Sequence, residues 1–222
     1  IDNFPLQARE DSDFAFRLIL DGFKTIQIPQ FVYHFASRGN RRSEHESGNF
    51  TDNPEWQEIG KNSVRNFIRK WGTLNLHKPD LTPNKPIKFD IHFTIINSTE
   101  ELIYHLEPWC STFSLNFIMN EMSKYSDILQ KYYDREQPNT KFNLKSKHVS
   151  RIMSNPPDIE VEIDGRTFDQ IDFQCIQHLS EFIDKEGEIG EFDWGHLKLK
   201  ITAMNHYENE LIVCKNEPIQ LS

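Results

Sequence analysis

The sequence predicts an α/β (mixed α+β) fold built in two parts, and three observations support this prediction. Apolar and polar residues alternate over residues 87–96 and 158–163, as they do in half-buried strands. Residues 54–71 instead repeat apolar side chains at helical spacing. Residues 75–86 contain three prolines among polar residues, which is typical of a semi-rigid connector. We therefore predict a first part at residues 1–74, a linker at residues 75–86 and a small layered α/β domain at residues 87–222.

Composition and charge restrict the classes of protein to consider. The 222 residues carry a formal net charge of -9 and have a mean hydropathy of -0.64. This acidic balance argues against non-specific binding to nucleic acid, which needs a basic surface. No apolar run reaches the ~18 residues of a membrane-spanning helix. Cys110, Cys175 and Cys214 lack the spacing of a metal site, so we expect free thiols in a reducing, cytoplasmic compartment.

The first predicted element is an acidic helix that begins near residue 10. Glu10, Asp11 and Asp13 fall in its first turn, where the partial positive charge of the helix N-terminus favours carboxylates. Asp11 or Ser12 is suited to cap this helix, and Gly22 stands where a left-handed residue commonly ends one. The apolar residues assigned to its buried face are Phe14 and Leu18, with Phe16 and Ile19 as further members.

A strand, a polar loop and a second helix complete the first part. The alternation over residues 24–29 predicts a short strand, which continues in extended form to His34. Residues 36–53 are polar, contain two glycines and lack periodicity, so we predict a long loop. Asn53 and Pro54 are suited to open the second helix. Its predicted apolar stripe, before the stop at Gly72, comprises Ile59, Val64, Phe67, Ile68 and Trp71.

The order of these motifs resembles one half of a known enzyme family. An acidic helix start, a glycine, an apolar strand, a Tyr-His pair, a polar loop and a helix ending in Lys-Trp-Gly follow one another. This order is similar to the acceptor-side part of the family-two inverting glycosyltransferases, which use nucleotide sugars and have the GT-A fold. The matching residues are Glu10, Asp11, Asp13, Phe14, Arg17, Leu18, Gly22, Tyr33, His34, Lys70, Trp71 and Gly72.

The resemblance implies a role for each candidate site residue. Asp11 corresponds to the general base that takes the proton of the acceptor hydroxyl, and Glu10 would help to set the acceptor or the local field. His34 falls where some relatives hold a histidine near the metal and the diphosphate. The residues expected to neutralise the leaving diphosphate from a flexible loop are Arg38, Arg41 and Arg42. A plain alternative exists for each: a helix cap for Asp11, a loop histidine for His34 and a solvated loop face for the arginines.

The nucleotide-binding half of such an enzyme has no counterpart in the sequence. No repeated strand–helix units precede Glu10, and no Asp-x-Asp ends an apolar strand. We therefore expect an incomplete GT-A half-domain, the C-terminal fragment of a transferase that is not competent alone. The expected partners are a nucleotide-sugar donor, a hydroxyl acceptor on a glycan or protein, and the missing N-terminal half. The complete enzyme would use Mn²⁺ or Mg²⁺, which this fragment does not hold securely.

The second part alternates strands with helices, which is typical of a layered α/β or α+β domain. The predicted strands are residues 87–96, 112–118, 158–163, 196–203 and 210–214. Helices are predicted from a cap at Ser98 or Thr99 to about residue 106, over residues 119–133 and 143–153, and from a cap at Thr167 or Asp169 to about residue 185. The last of these has Ile171, Cys175, Leu179 and Phe182 or Ile183 on its apolar stripe. No family resemblance accompanies this part.

Two other functions fit the same sequence. In the first, residues 87–222 form a non-catalytic binding or assembly module and the first part is only a tether. In the second, this domain is itself an enzyme centred on Asp164, a carboxylate at a strand end. That site would need a polar pocket around Asp164, and the plain alternative is a turn residue before Gly165.

Overall fold

The computed structural model describes residues 9–24, 26, 42–44, 50–52, 54–75, 77–78, 84–116, 122–149 and 156–206. The first part contains helix α1 (Glu10–Leu20), an antiparallel hairpin of β1 (Arg42–Glu44) and β2 (Phe50–Asp52), and helix α2 (Pro54–Trp71). Helix α2 begins and ends where the sequence predicts, with Gly72 at a φ of 70°. Gly22, at a φ of 88°, follows the end of α1 as expected.

The second part is organised around a mixed five-stranded sheet. Its strands are β3 (Ile91–Ile96), β4 (Thr112–Asn116), β5 (Ile159–Asp164), β6 (Gly190–Trp194) and β7 (Leu197–Ile201), in the order β4-β3-β5-β7-β6. Strand β3 is parallel to both β4 and β5, whereas β7 is antiparallel to both β5 and β6. Together with its helices this sheet confirms the predicted mixed α/β class.

The helices of this part pack on one face of the sheet. They are α3 (Glu100–Leu106), α4 (Met122–Glu136), α5 (Leu144–Lys147) and α6 (Gln170–Glu186). Thr99 caps α3 and Asp169 caps α6, both through side-chain oxygens that accept backbone amides. Every second strand residue, among them Phe93 and Val161, joins the buried apolar cluster that these helices complete. The polar strand residues that alternate with them consequently lie on the other face of the sheet.

The structure corrects several local predictions. In α1 the predicted members Phe16 and Ile19 pack against α2, whereas Phe14 is 63% exposed, because the contact with α2 lies on the side of the helix that carries Phe16. In α6, Ile171 is 66% exposed while Cys175, Leu179 and Ile183 are buried. Residues 36–53 are not entirely a loop, since β1 and β2 pair within them.

Other corrections concern element bounds. The helix predicted over residues 119–133 is α4 at Met122–Glu136, and the one predicted over residues 143–153 is only the single turn of α5 in the described residues. Strand β7 pairs with β6, a strand the sequence analysis missed. The strand predicted at residues 210–214, and most of the one predicted at residues 24–29, lie outside the described residues. None of the helices that the structure describes is both long enough and apolar enough to cross a membrane.

Candidate functional site

A buried carboxylate in the acidic motif fixes α1 against α2. Asp13 Oδ1 accepts a hydrogen bond from Trp71 Nε1 at 2.8 Å and lies 2.7 Å from Lys70 Nζ. Its Oδ2 accepts a hydrogen bond from Arg17 Nε at 2.9 Å. Beside this group, which we call the Asp13 anchor (Asp13, Arg17, Lys70 and Trp71), the Phe16 ring meets the Trp71 ring edge-on at 5.2 Å. The third acidic residue of the motif therefore has a structural role.

The anchor leaves the other two acidic residues exposed. Glu10 and Asp11 lie in the first turn of α1, and both are exposed. The N-cap of α1 is Arg9, with no capping hydrogen bond from its side chain, so the prediction that Asp11 or Ser12 caps the helix is wrong. The two carboxylates are thus held in place by a rigid support and remain accessible to a molecule from solution.

The remaining candidates of the transferase resemblance have no described side chain. His34, Arg38 and Arg41 lie outside the described residues. Arg42 begins strand β1, of which the structure describes the backbone. A metal role for His34 and a diphosphate role for the three arginines therefore stay predictions.

One group of side chains among the described residues has the composition of a metal site. Ligand atoms of Asp169, Asp172 and His196 lie within 4.8 Å of one another. Asp172, however, already accepts hydrogen bonds from the backbone and Nδ1 of His196, at 3.0 Å each, and from the Asp169 backbone at 3.0 Å. These bonds hold the turn between β6 and β7 on the start of α6. Asp169 Oδ1 in turn accepts the backbone amides of Ile171 and Asp172. Both carboxylates are therefore engaged in a helix cap and a turn, and with a histidine as third member the group does not match the open set of oxygen ligands typical of Mg²⁺.

A cluster of buried charges joins α2 to the second part, and we call it the buried ion cluster (Arg65, Arg69, Glu107, Glu136 and Lys147). Glu107 lies 2.7 Å from Arg69 Nη2, 2.6 Å from Lys147 Nζ and 3.1 Å from Arg65 Nη2. Glu136 lies 2.8 Å from Arg65 Nε and 3.0 Å from Arg69 Nη2. All five side chains are buried or nearly so. Since Phe67 and Trp71 of the same helix contact α1, α2 packs against both predicted parts.

The electrostatics of this cluster point to a structural role. Burial alone would raise the pKa of Glu107, but the charges of Lys147, Arg69 and Arg65 outweigh it and hold that pKa well below its ordinary value. Glu107 is consequently ionised and fully paired, and it has no exposure through which a substrate could reach it. Burial raises the pKa of the neighbouring Cys110 to about 12, so this thiol is neutral and not a nucleophile.

The polar face of the sheet forms a shallow, open cavity of about 530 Å³. At its floor His92 hydrogen-bonds Thr112 Oγ1 through Nδ1 and Ser114 Oγ through Nε2, at 2.9 Å each. Burial lowers the pKa of His92, which keeps the imidazole neutral at pH 7. The charged residues that line the cavity are Glu160, Glu162, Glu191, Asp193, Lys198 and Lys200. The alternate spacing of Glu160 and Glu162 in the sequence predicts that both face one side of their strand, and both line this cavity.

Asp164 does not lie in this cavity. Its carboxylate accepts hydrogen bonds from Asn97 Nδ2 at 2.9 Å, from the Arg166 backbone at 3.0 Å and from Arg166 Nη2 at 2.8 Å. These bonds, led by the one to the Arg166 side chain, hold the pKa of Asp164 well below its ordinary value. The arrangement is that of a turn residue, and it gives no support to an enzyme centred on Asp164.

Comparison with known proteins adds no relative. No family model matches this chain, and no match is found among the curated proteins or the solved structures. Function is therefore argued from the side chains and their placement alone.

The Asp13 anchor makes a testable prediction about α1. We expect Asp13→Ala to weaken the docking of α1 on α2 by about 2 kcal/mol, because hydrogen bonds to a charged group in a buried position are lost. Amide hydrogen exchange of α1 measures this as roughly 30-fold faster exchange. Asp11→Ala is the matched control in the same turn, and its exposed position predicts a change within about 0.5 kcal/mol. Equal effects of the two variants would contradict the anchor.

Proposed function

We propose that residues 1–74 are the acceptor-side part of an inverting glycosyltransferase that moves a sugar from a nucleoside diphosphate sugar to an acceptor hydroxyl. In this proposal Asp11 is the general base and Glu10 assists it. The observation that carries the proposal is the contrast within one helical turn: Asp13 is buried and fixed to Trp71 and Lys70, whereas Glu10 and Asp11 are exposed. A carboxylate with a fixed backbone and a free side chain is suited to meet a substrate proton.

The chemistry assigns one step to Asp11. The acceptor oxygen forms a bond to the anomeric carbon of the donor, on the face opposite the leaving group. The bond from that carbon to the diphosphate oxygen breaks, and its electron pair leaves with the nucleoside diphosphate. The acceptor proton moves to Asp11, which must lie within hydrogen-bond reach of the attacking oxygen. In the complete enzyme Mn²⁺ or Mg²⁺ would neutralise the diphosphate, but the described residues offer no fitting ligands and no step here depends on them.

Exposed apolar side chains around α1 support the idea that another protein segment belongs there. Phe14, Phe23 and Ile26 are 63%, 60% and 82% exposed. These three residues lie within 13 positions of one another in the sequence, and exposed large apolar side chains commonly mark a contact site. In the proposal this surface meets the nucleotide-binding half of the same polypeptide.

The proposal also includes a reducing, cytoplasmic location. Cys110 and Cys175 are free and buried, and burial raises the pKa of both thiols. Cys214 lies outside the described residues. Free thiols of this kind are usual in proteins of reducing compartments.

The experiment that tests the proposal uses the natural polypeptide that contains these residues. Its intact mass is measured first, and we expect a value well above 26.3 kDa. It is then incubated with UDP- and GDP-sugars, Mn²⁺ or Mg²⁺ and a panel of hydroxyl acceptors. We expect release of nucleoside diphosphate and, by NMR, a product whose anomeric configuration is opposite to that of the donor. A retained configuration, or no release with any donor, would overturn the proposal.

A second candidate, a binding module at residues 87–222, is favoured by a different observation. In the described residues the sheet presents a polar face with a cavity of about 530 Å³, and no described helix covers this face. A ligand held there would depend on Glu160, Glu162, Lys198 and Lys200, and not on the acidic motif of α1. Partner binding that survives Asp11→Asn and is lost on changing these four residues would favour this candidate over the transferase.

A further inference from the structure

Strand β6 is an open edge of the sheet. It pairs with β7 on one side, and on the other side no described strand pairs with it. Glu191, Phe192 and Asp193 are all exposed. At the other edge, β4 is bridged through Phe113 to His148 and is contacted by α5. Within the part of the chain that the structure describes, the β6 edge therefore offers backbone groups to another chain.

Hairpin geometry indicates which backbone groups are available. Trp194 pairs with Leu197 across the two-residue turn at Gly195 and His196, and such a closing pair is hydrogen-bonded. Hydrogen-bonded and non-hydrogen-bonded pairs alternate along an antiparallel ladder. The amides and carbonyls of Glu191 and Asp193 consequently point away from β7, toward the open edge.

Charge alternates across the polar face in two rows that both end at this edge. In the first row Glu160 lies opposite Lys200, which lies opposite Glu191. The Lys200 Nζ–Glu191 Oε1 distance is 3.6 Å. A strand added beside β6 would continue this alternation with a positive residue opposite Glu191.

The second row repeats the arrangement. Glu162 lies opposite Lys198, which lies opposite Asp193. Lys198 Nζ lies 2.8 Å from Glu162 Oε1, so this lysine is drawn toward β5 and away from Asp193. In a strand added beside β6, a positive residue opposite Asp193 would give this carboxylate a cationic partner. Two acidic positions, two residues apart, thus define the charge of an incoming strand.

The opposite face of the edge is apolar. Phe192 lies between the two acidic residues on β6 and is 38% exposed. Trp194, on the same face of the strand, has its ring 4.5 Å from that of Phe182 in α6. An apolar residue in the incoming strand could pack against Phe192 beside this pair. The edge therefore favours a strand in which basic and apolar residues alternate.

The same charges disfavour pairing between two copies of this protein. An antiparallel contact of two β6 strands centred on Phe192 would place Glu191 opposite the second copy's acidic residue at position 193. Like charges directly opposite each other in a sheet are destabilising. Charge repulsion consequently disfavours pairing of β6 with the β6 of a second copy, whereas a basic strand is complementary to it.

We propose that β6 binds an extended segment of a partner protein by strand addition, with Lys or Arg opposite Glu191 and Asp193 and an apolar residue opposite Phe192. Backbone hydrogen bonds from Glu191 and Asp193 provide the affinity, and the alternating charges provide the selectivity. This binding is independent of sugar transfer, so it is expected to be the same in the wild type and in Asp11→Asn.

The test uses the whole chain and a synthetic peptide, Ser-Val-Lys-Val-Lys-Val-Ser. We expect the peptide to bind with a Kd below about 1 mM, and a peptide with Glu in place of Lys to bind at least about tenfold more weakly. Hydrogen exchange at the Glu191 and Asp193 amides is expected to slow when the basic peptide is bound. Binding without this protection would show attachment through charge alone and would overturn strand addition, as would the absence of binding.

Two variants separate backbone pairing from charge. The double variant Glu191→Lys with Asp193→Lys replaces both acidic residues of β6 by basic ones. It is expected to bind the acidic peptide about tenfold more tightly than the basic peptide. Asp193→Pro removes an outward amide that β7 does not use, so the hairpin should persist while peptide binding is lost. Glu101→Gln, which removes one exposed carboxylate of α3 away from the sheet, is the matched control and should leave Kd within about twofold. Sedimentation that shows self-association abolished by Asp193→Pro would overturn the choice of a basic partner.

Discussion

Replacing Asp11 by Asn is expected to slow sugar transfer by the full-length protein by about two to four orders of magnitude, the usual contribution of a general base. The amide has the size of the carboxylate but cannot take the acceptor proton. The expected loss is in kcat, with the KM of the donor nearly unchanged, because the proposed role places Asp11 on the acceptor side of the reaction. Steady-state kinetics at saturating acceptor measure this directly.

The helix itself offers the control for this measurement. Asp21 is an exposed carboxylate at the other end of α1, so Asp21→Asn makes the same chemical change in the same helix. We expect this variant to keep the wild-type rate. Neither variant should alter the free energy of unfolding by more than about 0.5 kcal/mol, because the Asp13 anchor is intact in both. Comparable losses in the two variants, or a normal rate in Asp11→Asn, would remove Asp11 from the mechanism.

The elements that could be predicted from sequence are those with strong local signals. Helix α2 has Pro54 at its first position, and Gly72 follows its last residue. The helix is amphipathic, with an apolar stripe that ends at Trp71. Helix α6 begins after Asp169, whose side chain accepts two backbone amides in a capping box. In both cases the residues that define the ends act within their own turn, so no knowledge of the tertiary fold is needed.

What the sequence did not reveal depends on contacts between distant segments. Helix α1 has apolar residues on two sides, and only the position of Trp71 decides that Phe16 is buried and Phe14 is not. The same contact turns Asp13 from a member of an acidic motif into a structural residue. Strand β6 was missed because Glu191 and Asp193 lower its apparent strand propensity, while pairing with β7 stabilises it.

The buried ion cluster could not be predicted for the same reason. Arg65 and Arg69 follow the helical spacing of a solvated face, and their partners come from residues 38 to 71 positions later in the chain. No residue close to Arg65 or Arg69 in the sequence identifies the acidic partners that allow these arginines to be buried. A useful sign in retrospect is that the two arginines are four residues apart on α2, on one face with Ile68 between them.

Replacing Glu107 by Gln is expected to lower the free energy of unfolding by about 3–5 kcal/mol, because breaking a buried ion pair leaves its partner charges uncompensated. Three cations contact this carboxylate, and after the change Glu136 would still pair with Arg65 and Arg69, whereas Lys147 would lose its acidic partner. Urea unfolding followed by circular dichroism measures the loss. Glu100→Gln is the matched control, since its 2.7 Å pair with Arg135 is partly exposed and should contribute less than about 1 kcal/mol.

The pH dependence gives an independent check on the same residue. The folded-state pKa of Glu107 is depressed below its ordinary value of 4.5, because Lys147, Arg69 and Arg65 more than offset the effect of burial. The unfolded chain therefore binds a proton more readily, and the stability due to this carboxylate is fully present above about pH 4.5 and lost as pH falls toward the depressed folded pKa. We expect Glu107→Gln to lack this part of the acid dependence, so that its stability and that of the wild type converge as the pH is lowered. A constant difference between the two proteins from pH 7 to pH 2 would mean that the variant acts through altered packing and not through the charge of Glu107.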